Sequence, residues 1–185
     1  MARLKLGLLQ VNHDRSVEVG DAFPDDSHRF RDLFDAQDQR FSYRVYMTIG
    51  GDVPRDVHEQ DAYLITGSPL SVLDDLPFLP ALYDFIRACD AARKPLLGAC
   101  FGHQAIAVAL GGQVARADWN IGIGTLTLSG QHPWMTPAAR EIALYQFHHD
   151  TVTALSEGCE TYATSTACPI AGFTKRDHIF TTQAH

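Results

Sequence analysis

One cysteine in this sequence stands in a context that favours chemistry. Cys100 lies between Gly98 and Gly102, after a short apolar run of strand length and before an apolar run long enough for a buried helix. Segment 95–112 therefore predicts a strand, a tight turn and a helix. A side chain on that turn points out of the sheet, and the free N–H groups and dipole at the start of the helix favour a thiolate. Cys100 is thus predicted to be a nucleophile.

The other three cysteines lack this context. Cys89, Cys159 and Cys168 form no CxxC pair and show no disulfide-framework spacing, so we expect reduced thiols. Cys89 falls on an apolar helical face, where a free cysteine packs as a small hydrophobic residue. All three are therefore interpreted as structural.

The elements around Cys100 predict an α/β fold. Segments of strand type alternate with helical patterns, which is typical of an open, mostly parallel sheet with helices on both faces. Ligands bind at the carboxyl ends of the strands in such sheets. After Gly112 short strands follow one another without helices, so we expect a small antiparallel extension. The predicted strands are 4–11, 41–48, 61–66, 122–128, 142–147, 161–165, 170–174 and 179–183, and the first two helices begin near Ser27 and Pro80.

Composition narrows the class of protein. The 185 residues fit one domain, 1–185, and a hydrophobic content of 45% is enough for a substantial core. The formal charge of −7 and the lack of a dense run of Lys and Arg argue against nucleic-acid partners. No segment is apolar for long enough to be a secretory signal or a membrane span. We therefore expect a soluble, cytoplasmic protein with no membrane partner.

Four segments resemble one family. Segment 98–104 (Gly-Ala-Cys-Phe-Gly-His-Gln) is similar to the signature of the class I, triad-type glutamine amidotransferases, which have a flavodoxin-like sheet. Segment 66–71 resembles their oxyanion loop, 147–152 resembles their His-Gly-Asp segment, and 183–185 resembles the start of their Gln-x-His-Pro-Glu signature. The segments follow the family's order, and the resemblance extends over residues 4–185.

The resemblance implies a reaction. Cys100 would attack the side-chain carboxamide carbon of glutamine, and His185 would pass a proton to the departing ammonia and then activate water against the γ-glutamyl thioester. Glutamate and ammonia are the implied products, and no cofactor is implied. The implied oxyanion donors are the backbone N–H groups of Gly67 or Ser68 and of Phe101. The residues implied to hold the amino-acid end of the substrate are Gln104, His149 and Asp150.

The remaining histidines carry simpler expectations. His103 is interpreted as a packed or capping residue. His148 and His149 are adjacent on an extended segment and point to opposite faces, so we expect no metal site there.

The sequence departs from the family pattern in two places. His149 stands where the family usually has glycine, so we expect its ring to narrow the pocket or change which γ-glutamyl compound fits. The sequence also stops at His185, before the proline and the glutamate that orients the histidine in the family. We therefore expect either a domain lacking its C-terminal segment or a longer protein.

Three function hypotheses remain open. The first is a stand-alone glutamine amidotransferase-like hydrolase whose ammonia acceptor is a separate synthase, because the sequence has no ATP-binding loop. The second is a γ-glutamyl peptidase that cuts isopeptides such as glutathione, which His149 favours. The third is a catalytically silent subunit that keeps the fold, which the missing glutamate favours and the Cys100 turn opposes. A cysteine-dependent α/β hydrolase fits poorly with Gln104 and the oxyanion loop.

Overall fold

The computed structural model describes residues 3–130, 132–136 and 138–185. Met1, Ala2, Gln131 and Pro137, which belong to the predicted domain 1–185, lie outside the described residues. The strands are β1 (Leu4–Leu9), β2 (Phe41–Tyr46), β3 (Ala62–Ile65), β4 (Leu96–Ala99), β5 (Gln113–Leu128), β6 (Glu141–Ala154), β7 (Cys159–Thr164), β8 (Gly172–Lys175) and β9 (Ile179–Thr182). The helices are α1 (Asp26–Asp35), α2 (Leu79–Ala91) and α3 (Phe101–Ala109), with a 3₁₀ turn at Thr48–Gly50.

Within the described ranges, these strands form one nine-stranded sheet. Its order is β2-β1-β3-β4-β9-β8-β7-β5-β6. The first five strands are parallel, and each of the other four pairs antiparallel to its neighbours. The predicted α/β fold, with parallel strands and an antiparallel extension, is confirmed. Because β4 lies between two parallel neighbours, the turn that carries Cys100 leaves the interior of the sheet and not its edge.

Helices cover both faces of the parallel strands, as predicted. On one face, Ile65 packs with Ile86 of α2 and Ile106 of α3. On the other face, Leu8 packs against Phe34 of α1. Burying a side chain of this size contributes about 1.5–3 kcal/mol, so a strand apolar on both faces is held firmly. Of the helices in the described part of the chain, none is long and apolar enough to cross a membrane.

The hairpin of β5 and β6 is longer than its apolar pattern predicts. β5 begins at Gln113 instead of 122, and β6 continues to Ala154 instead of ending at 147. The additional pairs include Arg116 with Asp150, whose charges interrupt the pattern expected of a strand. The part of the hairpin that apolar periodicity does not detect is therefore the part that carries polar site residues.

Candidate active site

Cys100 lies on the sharp turn between β4 and α3. Its backbone has φ 50° and ψ −101°, a positive φ that is uncommon and strained for a residue with a side chain. The Cys100 N–H donates to the carbonyl of Thr182 at 2.8 Å, which ties the turn to the neighbouring strand β9. The predicted strand, turn and helix are present, and the cysteine lies on the turn.

Two glycines allow the helix to pack this closely on the sheet. A Cβ added to Gly98 would lie 2.7 Å from the carbonyl oxygen of Gly102. A Cβ added to Gly102 would lie 2.5 Å from the carbonyl oxygen of Ile65. Both contacts are with backbone atoms, which cannot rotate away. The glycines on either side of Cys100 are therefore required by packing, independently of any chemistry.

A cavity of about 790 Å³ opens beside Cys100. Its walls contain most of the residues that the sequence singled out, which are Gly67, Ser68, Cys100, Gln104, His149, Asp150 and His185. Phe101 does not line the cavity, but its backbone N–H lies at the start of α3 beside the Cys100 sulfur. The structure thus brings the predicted site residues together at the carboxyl ends of β3 and β4.

Gly67 separates Cys100 from His185. A Cβ added to Gly67 would lie 3.7 Å from the Cys100 Cβ and 3.1 Å from the His185 Cε1. Both side chains therefore approach the same small space, which a larger residue would narrow. The His185 backbone N–H donates to the carbonyl of Tyr145 at 2.9 Å, so the hairpin strand β6 holds the histidine.

Burial determines the protonation of both groups. It raises the pKa of the Cys100 thiol to about 12, although the Phe101 N–H opposes the shift. The start of α3 alone predicts a thiolate, and burial outweighs that effect. Desolvation by surrounding protein atoms lowers the pKa of His185 from its ordinary value, and the Asp26 carboxylate opposes that shift. At neutral pH the site thus contains a protonated thiol and a neutral imidazole, a pair between which one proton can move.

Hydrogen bonds fix Gln104 and Asp150 in the wall of the cavity. Gln104 Nε2 donates to the carbonyl of Asp150 at 3.0 Å and to Gln183 Oε1 at 3.1 Å. The Asp150 carboxylate accepts from the Ser71 hydroxyl and, at 3.1 Å, from Arg116 Nε. Ser71 lies in the predicted oxyanion loop, but its bond to Asp150 connects residues 79 positions apart and has no sequence signal. Arg116 was likewise not predicted, and Gln183 belongs to the predicted segment 183–185 but was given no role.

His149 forms part of the cavity wall together with an unpredicted tryptophan. The rings of His149 and Trp119 stack with centroids 4.2 Å apart and planes 21° apart. His149 Nε2 is 3.8 Å from a carboxylate oxygen of Asp150, so the ring is held from two sides. Phe147 packs 5.5 Å from Trp119 and also lines the cavity. The His149 side chain thus forms part of the cavity wall, held in place by Trp119 and Asp150.

The other two histidines singled out from the sequence, His103 and His148, both have hydrogen-bond partners within the protein. His103 is fully buried, with Nδ1 2.9 Å from the Thr181 hydroxyl and Nε2 3.1 Å from the Ile170 carbonyl. Burial lowers the pKa of His103 to about 3, so the ring stays neutral and packed, as predicted. His148 is buried and also borders the cavity, and its Nδ1 lies 3.1 Å from the Asp150 carbonyl oxygen. Among the residues that the structure describes, no three His, Cys, Asp or Glu side chains are grouped to hold a metal.

The loop before α1 and the first turn of α1 supply a wall that sequence reasoning missed. The cavity lining includes Asn12, His13, Asp26 and Arg29. Asn12 Nδ2 donates to the Asp26 carboxylate at 3.4 Å, and Arg29 lies 3.8 Å from the same group. A polar loop without a motif gives no signal of this role, since only the fold brings it to the carboxyl ends of the strands.

Fold and site together define an α/β protein with a candidate cysteine nucleophile. The sequence model of the family "Glutamine amidotransferase class-I" matches residues 45–185, which is most of the chain. This chain therefore belongs to the class I glutamine amidotransferase family, whose members are cysteine-dependent hydrolases or amidotransferases.

Individual relatives differ in their activities. γ-Glutamyl peptidase 3 of Arabidopsis thaliana is 29% identical over 76% of this chain and 61% of its own length. A subunit of the glutamine-hydrolysing GMP synthase of Sulfolobus acidocaldarius is 27% identical over 70% of this chain and 69% of its own length. A glutamine amidotransferase structure from Thermotoga maritima has a TM-score of 0.80 at 22% identity, covering 100% of this chain and 76% of that one. The chain spans about three fifths of the length of the first curated relatives, between 61% and 63%.

Proposed function

We propose that this protein hydrolyses the side-chain amide of glutamine through a γ-glutamyl thioester on Cys100. The observation that carries the proposal is the approach of Cys100 and His185 to Gly67 within one cavity. A strained turn over a helix start presents the sulfur, and a neutral imidazole stands within the same space. Membership of the class I glutamine amidotransferases supports the same reaction class.

The proposed reaction begins with a proton transfer. His185 takes the thiol proton while the sulfur bonds to the carboxamide carbon of the substrate. The negative charge that develops on the carboxamide oxygen is stabilised by the backbone N–H groups of Phe101 and of Gly67 or Ser68. The carbon–nitrogen bond then breaks, and the proton on His185 leaves with ammonia. The product of this half-reaction is a γ-glutamyl thioester.

Water completes the proposed cycle. His185, again neutral, accepts a proton from water as its oxygen attacks the thioester carbon. The carbon–sulfur bond breaks, the proton returns to Cys100, and glutamate is released. One glutamine and one water thus give one glutamate and one ammonia, and both protein groups recover their starting protonation.

The part of the cavity wall formed by Gln104 and Asp150 is proposed to hold the amino-acid end of the substrate. Both N–H groups of the Gln104 amide already have acceptors, so its Oε1 is the atom left for a substrate ammonium group. Asp150 contributes mainly by placing Gln104, because its carbonyl accepts the Gln104 amide and its carboxylate is held by Arg116. The His149 ring is proposed to complete this part of the cavity wall.

A separate synthase is the proposed acceptor of the ammonia. This proposal is supported by the similarity to glutamine-hydrolysing GMP synthase subunits, since that name describes one part of a larger enzyme. No described residue of this chain is proposed to carry out the acceptor chemistry.

A second candidate is γ-glutamyl peptidase activity. Replacement of the family's glycine by His149, stacked on Trp119, changes the wall next to the substrate. The volume of about 790 Å³ lies in the range of roughly 300–1,000 Å³ that is typical of sites for larger organic ligands. A γ-glutamyl peptide therefore fits as well as free glutamine, and the similarity to γ-glutamyl peptidases points the same way.

One set of assays separates these functions. Ammonia release from glutamine is measured beside cysteinylglycine release from glutathione, and a glutamine-like chloroketone is used to label the nucleophile. We expect ammonia, with the label on the Cys100 peptide in mass spectra. Cys100→Ser should lower turnover on the order of 10⁴-fold or more, whereas Cys159→Ser, outside the cavity, should leave it unchanged.

Other outcomes identify the alternatives. Cysteinylglycine without ammonia supports the peptidase. No product from either substrate, together with no label on Cys100, contradicts both enzyme proposals and supports a catalytically silent protein.

A further inference from the structure

The buried side chain of Gln183 lies between the candidate nucleophile and the substrate-facing wall. Gln183 follows strand β9 and is fully buried. Its Nε2 donates to the Cys100 Sγ at 3.5 Å, and its Oε1 accepts from Gln104 Nε2 at 3.1 Å. One amide thus contacts both residues.

The orientation of this amide is determined by its neighbours. Gln104 Nε2 is only a donor, and one of its two N–H groups is directed to the carbonyl of Asp150. The other N–H requires an acceptor, so Gln183 must turn its Oε1 toward Gln104. Its Nε2 then faces Cys100. The backbone N–H of Gln183 also donates to the carbonyl of Ala171 at 2.8 Å, which fixes the main chain from which the side chain extends.

The Gln183 amide is important because the Cys100 sulfur beside it is buried. Cys100 is 4% exposed, so water has little access to solvate a negative charge on its sulfur. The groups that favour the charged sulfur are the Phe101 N–H and the Gln183 amide, and both oppose the rise in pKa that burial causes. A hydrogen bond to a charged group is stronger than one between neutral groups, so the Gln183 bond strengthens when the thiol ionises.

We propose that Gln183 is a positioning residue that holds the Cys100 sulfur for attack and stabilises its thiolate, with its own orientation locked by Gln104. This inference rests on the proposed role of Cys100 as a nucleophile. The same donor remains beside the sulfur when the thioester breaks and the sulfur again carries the bonding electrons. A residue with no direct contact to the substrate thereby acts on both half-reactions.

Alkylation of Cys100 by iodoacetamide tests this role without requiring turnover. The rate is measured between pH 8 and 10.5 on the Cys100 peptide by mass spectrometry, since the thiolate is the reacting form. Gln183→Met removes the donor, and Gln183→Glu keeps the size but places a carboxylate beside the sulfur. We expect the rate at each pH to fall about tenfold for Gln183→Met, which corresponds to about one pH unit, and further for Gln183→Glu.

Gln146→Met is the matched control. Gln146 is also a buried glutamine, at 3% exposure, but it does not line the cavity, and its amide has no partner among the described residues. Its profile should match that of the wild type.

Two results overturn the proposal: an unshifted profile in a Gln183 variant that unfolds cooperatively on heating, or an equal shift in the Gln146 control. If Gln183→Met does not fold, the alkylation profile of the isosteric Gln183→Glu variant decides between the two outcomes. A wild type that releases no ammonia contradicts the proposed function alone, because the alkylation profile does not depend on hydrolysis.

Discussion

The parallel strands and the β5–β6 hairpin build opposite sides of the site in different ways. Around Cys100 the backbone itself is packed tightly, since a Cβ at Gly98 would meet the Gly102 carbonyl at 2.7 Å. The hairpin is more open, with Trp119 58% and Ile123 71% exposed. The position of Cys100 is therefore fixed by the fold, whereas the hairpin wall depends on a few side chains that can change without unfolding the protein.

His185 connects these two regions. The thiol belongs to the parallel strands, but the histidine is bonded through its backbone to Tyr145 of β6. Alignment of the two proposed catalytic groups thus depends on how the hairpin lies against the sheet.

The largest expected effect is the loss of this connecting group. His185→Gln should lower turnover by about 10⁴- to 10⁶-fold, the range seen when a member of a catalytic triad is lost. In the wild type the imidazole must be neutral to accept the Cys100 proton, so activity falls as pH drops through the lowered pKa of His185. The midpoint of the acid limb should therefore lie below 6.5, the ordinary value for histidine. The exposed His58 gives the control, since His58→Gln should retain both the turnover rate and its pH dependence. An acid limb with a midpoint above about 6.5 would argue against His185 as the base.

Adding a methyl group at a glycine tests how tightly the backbone is packed around Cys100. Gly98→Ala should destabilise the protein by about 3 kcal/mol, because the backbone of α3 must move away from β4. Gly50→Ala should change the free energy of unfolding by less than about 1 kcal/mol, because no heavy atom lies within 4 Å of its added Cβ. Urea denaturation measures both. Equal costs at the two positions would show that the turn is not constrained by packing.

The buried His103 predicts a pH effect on stability. Its pKa falls from the ordinary histidine value of 6.5 to about 3 in the fold, so the unfolded chain binds the extra proton between these values. The contribution of the neutral ring to stability is complete above about pH 6.5 and decreases as pH falls below it, by at most about 1.4 kcal/mol per pH unit. His103→Gln should flatten that slope in urea titrations between about pH 6.5 and 5. An unchanged slope would assign the effect to other groups.

The smallest effect is expected on the hairpin wall. Trp119→Ala removes the ring that stacks on His149 and should raise KM for the preferred γ-glutamyl substrate by up to about tenfold, with little change in kcat. Ile123→Ala, which lies on the same strand but outside the cavity lining, should leave KM unchanged. Both variants should remain as stable as the wild type to within about 0.5 kcal/mol, since both side chains are largely exposed. Loss of stability in Trp119→Ala would show that this wall is structural after all.

Sequence reasoning succeeded where local spacing carries the information. The glycines around Cys100 and the apolar strands β1, β3 and β4 are dictated by near neighbours. The predicted bounds of β1 and β3 are confirmed to within two residues, and β4 precedes Cys100 as expected. It failed where contacts are distant or polar. The Gln183 amide reaches Cys100 across 83 positions, and charges at Arg116 concealed the start of β5. The protonation state of Cys100 could not be predicted from the sequence either. The start of α3, which favours a thiolate, is visible in the local sequence, whereas the burial that keeps the thiol protonated depends on the whole fold.

Burial of Cys100 also bears on its resistance to oxidants. Peroxides attack the thiolate and convert it to sulfenic acid, which oxidises further to irreversible forms. A sulfur that is 4% exposed and whose pKa is raised to about 12 stays protonated at neutral pH, so it reacts slowly with such agents. The same burial that would make the proposed attack of the thiol depend on a base thereby protects the sulfur from oxidation.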